Sequence, residues 1–327
     1  MALINDLIGD LLKTQGDTQA QAVLTAEFAL AIQPLEEREP LRYALDAATV
    51  LHWFDVPLLA HMLELDEMEA RQPFDRLVHF PFVEKFPASN DEMRNVHETT
   101  RLAWRKRLAL ERPNAWHTLC GRAAVWFAKE TAPAGRIEWI YHLLNAEPDQ
   151  GARRLEDMDR AWTRTAHPEH RQALALALNE LETSSLLEGR ARVEGLLCLA
   201  EVRSSRGETA NIEGVARKIE ALARDIGHAS ALGRAFCLLG DVLEAQGKLE
   251  AAQAAFGEYL VISRHLAEQD RGNAVWQRDL AVARARVGGV LEAQGKLEAA
   301  QAAFGEYLAI SRRQAEQDPS NADRHSD

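Results

Sequence analysis

Val242 to Leu260 reads VLEAQGKLEAAQAAFGEYL, and Val290 to Leu308 repeats it letter for letter, 48 positions further on. The register continues through Ile262-Ser263-Arg264 against Ile310-Ser311-Arg312, and through Glu268-Gln269-Asp270 against Glu316-Gln317-Asp318. A fixed period in this range marks stacked helical units, because a single helix pair cannot bury its apolar stripe alone. Near-identity of the two copies shows recent duplication or homogenisation, and by itself nothing about a ligand.

Each unit resolves into two helices. Residues 228–245 carry Leu232, Phe236, Leu239 and Leu243 at three- and four-residue spacings, one apolar face of a helix. Gly247 breaks it. Leu249, Ala252, Phe256, Tyr259 and Leu260 form the stripe of a second, longer helix reaching about Glu268. Gly240, Ala252 and Ala255 between the large residues allow close approach of the pair. The pattern resembles the tetratricopeptide repeat, with Leu239-Gly240, Leu243, Ala252 and Phe256 at its marked positions, and Val287-Gly288, Leu291, Ala300 and Phe304 in the second copy. The period of 48 exceeds the family's usual 34, so both helices must be longer than in the standard unit.

Two weaker echoes extend the pattern. Leu199-Ala200, Gly207-Glu208 and Ala216 look like a degraded unit, and Ile8 to Gly16 parallels Leu239 to Gly247. Asn321-Ala322 parallels Asn273-Ala274, so the chain opens and closes partway into a repeat. Two readings stay open: an array with frayed ends or a piece of a longer product, and ends that complete each other between chains.

Residues 36–112 differ in character. Leu41, Leu45, Ala48 and Leu51 form a helical stripe, and Pro57 suits the first turn of a short helix carrying Leu58, Leu59, Met62 and Leu63. Asp66 and Glu69 stand at capping-box spacing before a helix over 67–78. Phe80–Phe86 and Met93–His97 read as a hairpin, and a further helix carries Leu102, Leu108 and Leu110. This order resembles the winged-helix domain of the STAND class of signal-transducing NTPases, followed by their helical linker at Arg122–Phe127 and Glu138–Leu144. That family closes the domain with Met-His-Asp, whose His senses nucleotide phosphate; here the stretch is Val96-His97-Glu98. The resemblance therefore makes His97 a nucleotide-sensor candidate acting in trans. No G-x-x-x-x-G-K-[ST] occurs, and Gly247-Lys248 and Gly295-Lys296 are each followed by Leu, with no hydroxyl for magnesium. ATP hydrolysis by this chain alone is not expected.

Composition narrows the remaining classes. The 327 residues are 46% apolar and 27% charged, with net charge −12, which disfavours phosphate backbones. The helix over 67–78 carries Glu67, Glu69 and Asp75 against Arg71 and Arg76, unsuited to groove reading. Arg101–Arg107 is expected to be a solvated helix face paired with acidic neighbours. Cys120, Cys198 and Cys237 stand far apart, which favours a reduced, cytoplasmic protein, with Cys198 and Cys237 as buried thiols. His97-Glu98-Thr-Thr-Arg101 lacks the second His of the zinc-protease helix, and His167-Pro-Glu-His170 reads as a surface cap. Six of seven tryptophans precede the repeats and read mostly as core fillers.

The expected fold is all-α in the main: an N-terminal helical hairpin (1–34), a winged-helix-like domain with a small β-hairpin (35–112), a helical linker with degenerate repeats (113–225), an α-solenoid of tetratricopeptide-like helix pairs (226–318) and a tail (319–327). The expected function is non-enzymatic: a scaffold of a bacterial-type signalling assembly that binds a partner peptide or helix in the repeat groove. The groove candidates are Arg234, Asp241, Glu244, Arg278, Arg286 and Glu292 on the first helices. The alternative is the sensor half of a split STAND-type ATPase, with a P-loop NTPase as partner. No cofactor, metal, nucleic acid or membrane is implied, and self-association through open repeat ends is a further expectation.

Overall fold

The computed structural model describes residues 7, 10, 13, 14, 16–86, 92–165, 167–208 and 211–317. Most of the Ile8–Gly16 echo, residues 87–91 of the hairpin turn, and the 319–327 tail with its Asn321-Ala322 lie outside the described residues. Among the described residues are fifteen α-helices and one two-stranded sheet, so the fold is mainly α. The chain divides into two compact units, Met1–Asp157 with Leu176–Leu187, and Met158–Ala175 with Glu188–Asp327.

Unit one contains α1 (Thr18–Ala31), α2 (Leu35–Val50), α3 (Val56–Leu63), α4 (Glu67–Val78), β1 (Val83–Lys85), β2 (Arg94–Val96), α5 (Glu98–Glu111), α6 (Pro113–Phe127) and α7 (Pro133–Ala146). The division between the units falls within α8 (Pro148–Arg164) and α9 (Pro168–Thr183). Prolines open α6, α7, α8 and α9, where a missing N–H costs no helical bond. The expected capping box forms at α4: Asp66 accepts from the Glu69 amide at 2.8 Å, and Glu69 accepts from the Asp66 amide at 3.1 Å. The hairpin pairs Val83 with Val96, Glu84 with Asn95 and Lys85 with Arg94. Phe54, between α2 and α3, adds a single bridge to Arg94 on the open edge of β2. Leu45, Leu51, Leu58, Leu59, Met62 and Leu77 fill the core, with Trp104 and Trp116 buried beside them.

Unit two is a solenoid of helix pairs: α10 (Gly189–Ser205) with α11 (Ile212–Asp225), α12 (Ala229–Ala245) with α13 (Leu249–Gln269), and α14 (Ala274–Ala293) with α15 (Leu297–Gln317). Gly207, Gly247 and Gly295 close the first helix of each pair at φ +74°, +74° and +76°. A residue with a Cβ resists that left-handed region. At Gly247 the C-terminal bonds are those of a Schellman turn, Lys248 N–H to the Leu243 carbonyl at 2.9 Å and Gly247 N–H to Glu244 at 2.8 Å, and Gly295 repeats both. Across α12 and α13, a Cβ on Gly240 would meet the Phe256 ring at 2.3 Å. The glycine is the socket for that ring, and Phe256 is fully buried there.

Candidate interaction surfaces

The first helices of the pairs, α10, α12 and α14, are linked by a ladder of charges. Arg234 on α12 reaches Glu201 of α10 through Nε at 3.0 Å and Nη2 at 2.8 Å, and Glu194 through Nη1 at 2.9 Å. His228 adds a contact of 2.7 Å to Glu194. One repeat further on, Arg286 of α14 reaches back to Asp241 of α12 at 3.2 Å. Charge-assisted, two-armed pairing of this kind fixes the register between units. Burial pushes the Asp241 carboxyl up to about 6; Arg286 pulls it down, while Glu244 and Glu201 add to the rise.

The six groove candidates sort accordingly. The Arg234 side chain is only 14% exposed and committed to the fold. Asp241 and Arg286 share an inter-repeat pair whose arginine remains half-open. Glu244 is half-buried, whereas Arg278 and Glu292 are exposed. Glu194 and Glu201, absent from the sequence reading, are what occupies Arg234; their seven-residue spacing on one helix face was the available signal.

His97 stands where the hairpin ends and α5 begins. Its backbone N–H donates to the Phe82 carbonyl at 2.7 Å, and its imidazole is exposed and caps no helix amide.

The locally basic stretch Arg101–Arg107 is not the solvated face expected. Helix α5 packs against α1, α2 and α6, so its inner side is enclosed, and Arg105 is fully buried. Arg105 donates to the Val50 carbonyl at 2.7 Å, to the Thr49 carbonyl, and to Tyr141 and Glu180. Glu180 also accepts from Arg101 at 3.0 Å and from the Tyr141 hydroxyl at 2.6 Å. His52 lies between two carboxylates, 2.8 Å from Glu138 and 3.3 Å from Glu180. Burial works to raise both carboxyls, but His52 with His142 beside Glu138, and His52 with Arg105 beside Glu180, hold them far below the usual range. Burial pushes His142 down. Lys106 is exposed, and the partly exposed Arg107 pairs with Glu27 at 2.6 Å and Glu111 at 2.9 Å, so the expected character survives only at the outer edge of the stretch.

His167, Glu169 and His170 gather at the start of α9, with Glu169 3.0 Å from His167 and 3.7 Å from His170. The two rings stack at 4.7 Å with 26° between their planes. One ligand atom from each of the three residues lies within 4.8 Å of the others. Cys120 and Cys198 are buried and Cys237 half-buried. Burial raises all three thiols, Cys237 to about 12, leaving them protonated and poor nucleophiles.

No described helix is long and apolar enough to cross a membrane. No protein-family model matches the chain, and no curated protein matches it. Among solved structures it is similar to BtubC (BKLC) from P. vanneervenii, at 16% identity and TM-score 0.43, over 65% of this chain and 87% of that one. It is also similar to a Signal Transduction ATPase with Numerous Domains (STAND) protein with a tetratricopeptide repeat sensor from Pyrococcus horikoshii, at 12% identity and TM-score 0.40. That likeness covers 93% of this chain and 50% of the other, so the chain spans about half the length of the Pyrococcus protein.

Proposed function

We propose that this chain is a non-catalytic, cytoplasmic scaffold of a bacterial-type signalling or regulatory assembly. In this reading its repeats are of the tetratricopeptide type and hold a helix or peptide of a partner protein. The observation that carries the reading is the division of labour on the first helices. Arg234 with Glu194 and Glu201, and Arg286 with Asp241, tie successive units together. Glu244, half-buried near the Asp241–Arg286 pair, and the exposed Arg278 and Glu292 on the same first helices supply charges of both signs, suited to a segment bearing both signs. Gly240 under Phe256 and the repeated Schellman turns support the tetratricopeptide assignment. Buried, protonated thiols support a reducing compartment and argue against a cysteine nucleophile.

The test is co-purification with the full chain, compared with an Arg278→Glu, Glu292→Lys double variant. Loss of a stoichiometric partner with unchanged helicity supports the reading; retention of the same partner removes the groove from it.

A second reading draws on unit one. Three helices, a hairpin and the Phe54 bridge support a winged helix, and in this reading the exposed His97 imidazole senses, in trans, a nucleotide bound to a P-loop partner. His97→Ala should then abolish the difference in association between ADP and ATP. Unchanged nucleotide dependence in that variant discards this reading.

A further inference from the structure

His167-Pro-Glu-His170, which reads in the sequence as a surface cap, brings three metal-ligating side chains to one place in unit two. Glu169 Oε1 lies 3.0 Å from His167 Nδ1 and 3.7 Å from His170 Nε2. A tetrahedral ion bonded at about 2.0–2.2 Å sets its ligand atoms about 3.3–3.6 Å apart, which these two separations bracket.

The backbone fixes all three residues. At the end of α8 the His167 N–H donates to the Trp162 carbonyl at 3.3 Å, and the His167 carbonyl accepts from the Arg171 N–H of α9 at 3.3 Å. Pro168 locks φ between His167 and Glu169, and Glu169 and His170 stand on the first turn of α9. The His170 ring also packs on Trp162, with centroids 5.4 Å apart. A simple ion pair does not account for this arrangement. His170 Nε2 is beyond hydrogen-bond distance of Glu169, and its Nδ1 is buried without a hydrogen-bond partner among the described residues. Yet its ring is stacked 4.7 Å from that of His167, where two imidazolium charges would repel.

We propose that His167, Glu169 and His170 form a site for a divalent transition-metal ion of the zinc or copper class. Two imidazole nitrogens and one carboxylate oxygen favour such ions over magnesium and calcium, which take oxygen sets. His167 ligates through Nδ1, Glu169 through Oε1 and His170 through Nε2. The His167 and Glu169 side chains are 49% and 64% exposed, so a fourth position is left to water. A bound ion would tie the α8–α9 connection to the first turn of α9. The site uses none of the groove residues and is independent of the scaffold reading.

The experiment is calorimetric titration of the tag-free full chain with zinc chloride, paired with copper(II) quenching of tryptophan emission. Wild type is expected to bind one zinc ion here. His170→Ala should weaken binding by more than about 100-fold, beyond the loss on removing an outer-shell partner, with unchanged circular dichroism. Glu169→Ala should weaken it as well. Copper(II) should quench wild-type emission, and the quenched share should fall in Trp162→Phe, which removes the ring beside His170. No zinc binding by wild type, equal binding by the His167→Ala, His170→Ala double variant, or quenching unchanged by Trp162→Phe would each overturn the proposal.

Discussion

Gly240 and Gly288 occupy equivalent positions 48 residues apart, and the same substitution at each should have unequal consequences. A Cβ at position 240 would stand 2.3, 2.5 and 2.8 Å from three atoms of the Phe256 ring, so the ring must move. Phe256, on α13, is fully buried within the core of the repeats, its ring against Gly240 of α12. Overpacking of this kind costs about 1–3 kcal/mol. Alanine's better helix propensity returns about 0.5–1 kcal/mol. Gly240→Ala should therefore destabilise by about 1–2 kcal/mol. At position 288 the corresponding distances are 2.8, 2.9 and 3.0 Å, and Phe304 is half-open and can swing outwards. Gly288→Ala should fall within about 0.5 kcal/mol of wild type, where propensity and crowding cancel. Native-state hydrogen exchange, read by mass spectrometry on peptides from α12–α13 and from α14–α15, gives the local opening free energies. Equal effects at the two sites, or stabilisation by Gly240→Ala, would refute the assignment of Gly240 as a socket.

Replacing Arg105 by Met strands Glu180 and Tyr141 in the core of unit one and should cost about 3–5 kcal/mol in urea unfolding followed by tryptophan fluorescence; a loss below about 1 kcal/mol would show that Arg101 and His52 suffice. Acid should weaken unit one in two stages. His142 is held below its ordinary 6.5, so the unfolded chain binds the extra proton and stability falls as pH drops through 6.5. Glu138 and Glu180 are held below their ordinary 4.5, so a steeper loss follows beneath that value, and a midpoint independent of acid in chemical unfolding would contradict it. Asp241 works the other way: its carboxyl lies at about 6 against an ordinary 3.8, so the folded state binds the proton more readily and its cost is relieved as pH falls through that window. Asp241→Asn should melt above wild type at about pH 8, with the gap narrowing towards pH 5; a gap that widens on acidification would reverse the sign.

The repeats were legible because their information is local. Identical copies, apolar stripes at helical spacing and a glycine before each second helix placed Ala229–Ala245 and Leu249–Gln269 to within a residue or two, and the Asp66–Glu69 capping box placed α4. Arg105 was misread for the opposite reason. Its local sequence is that of an exposed basic face, and its burial depends on Glu180, 75 positions away, and on the Thr49 and Val50 carbonyls. Arg234 posed the same difficulty: charged, on a first helix, and closed off by Glu194 and Glu201 from the preceding pair. Periodicity reports which side of a helix is apolar, not which charges on the other side have already been matched.

The proposed function has the chain hold a partner on the first-helix strip of its repeats. It is tested most directly by one comparative co-purification from the native cell, using wild type, the Arg278→Glu, Glu292→Lys variant and His97→Ala. We predict a stoichiometric protein partner that is lost with the strip variant and retained with His97→Ala. A partner that survives the strip variant, or that depends on His97 instead, would contradict the claim.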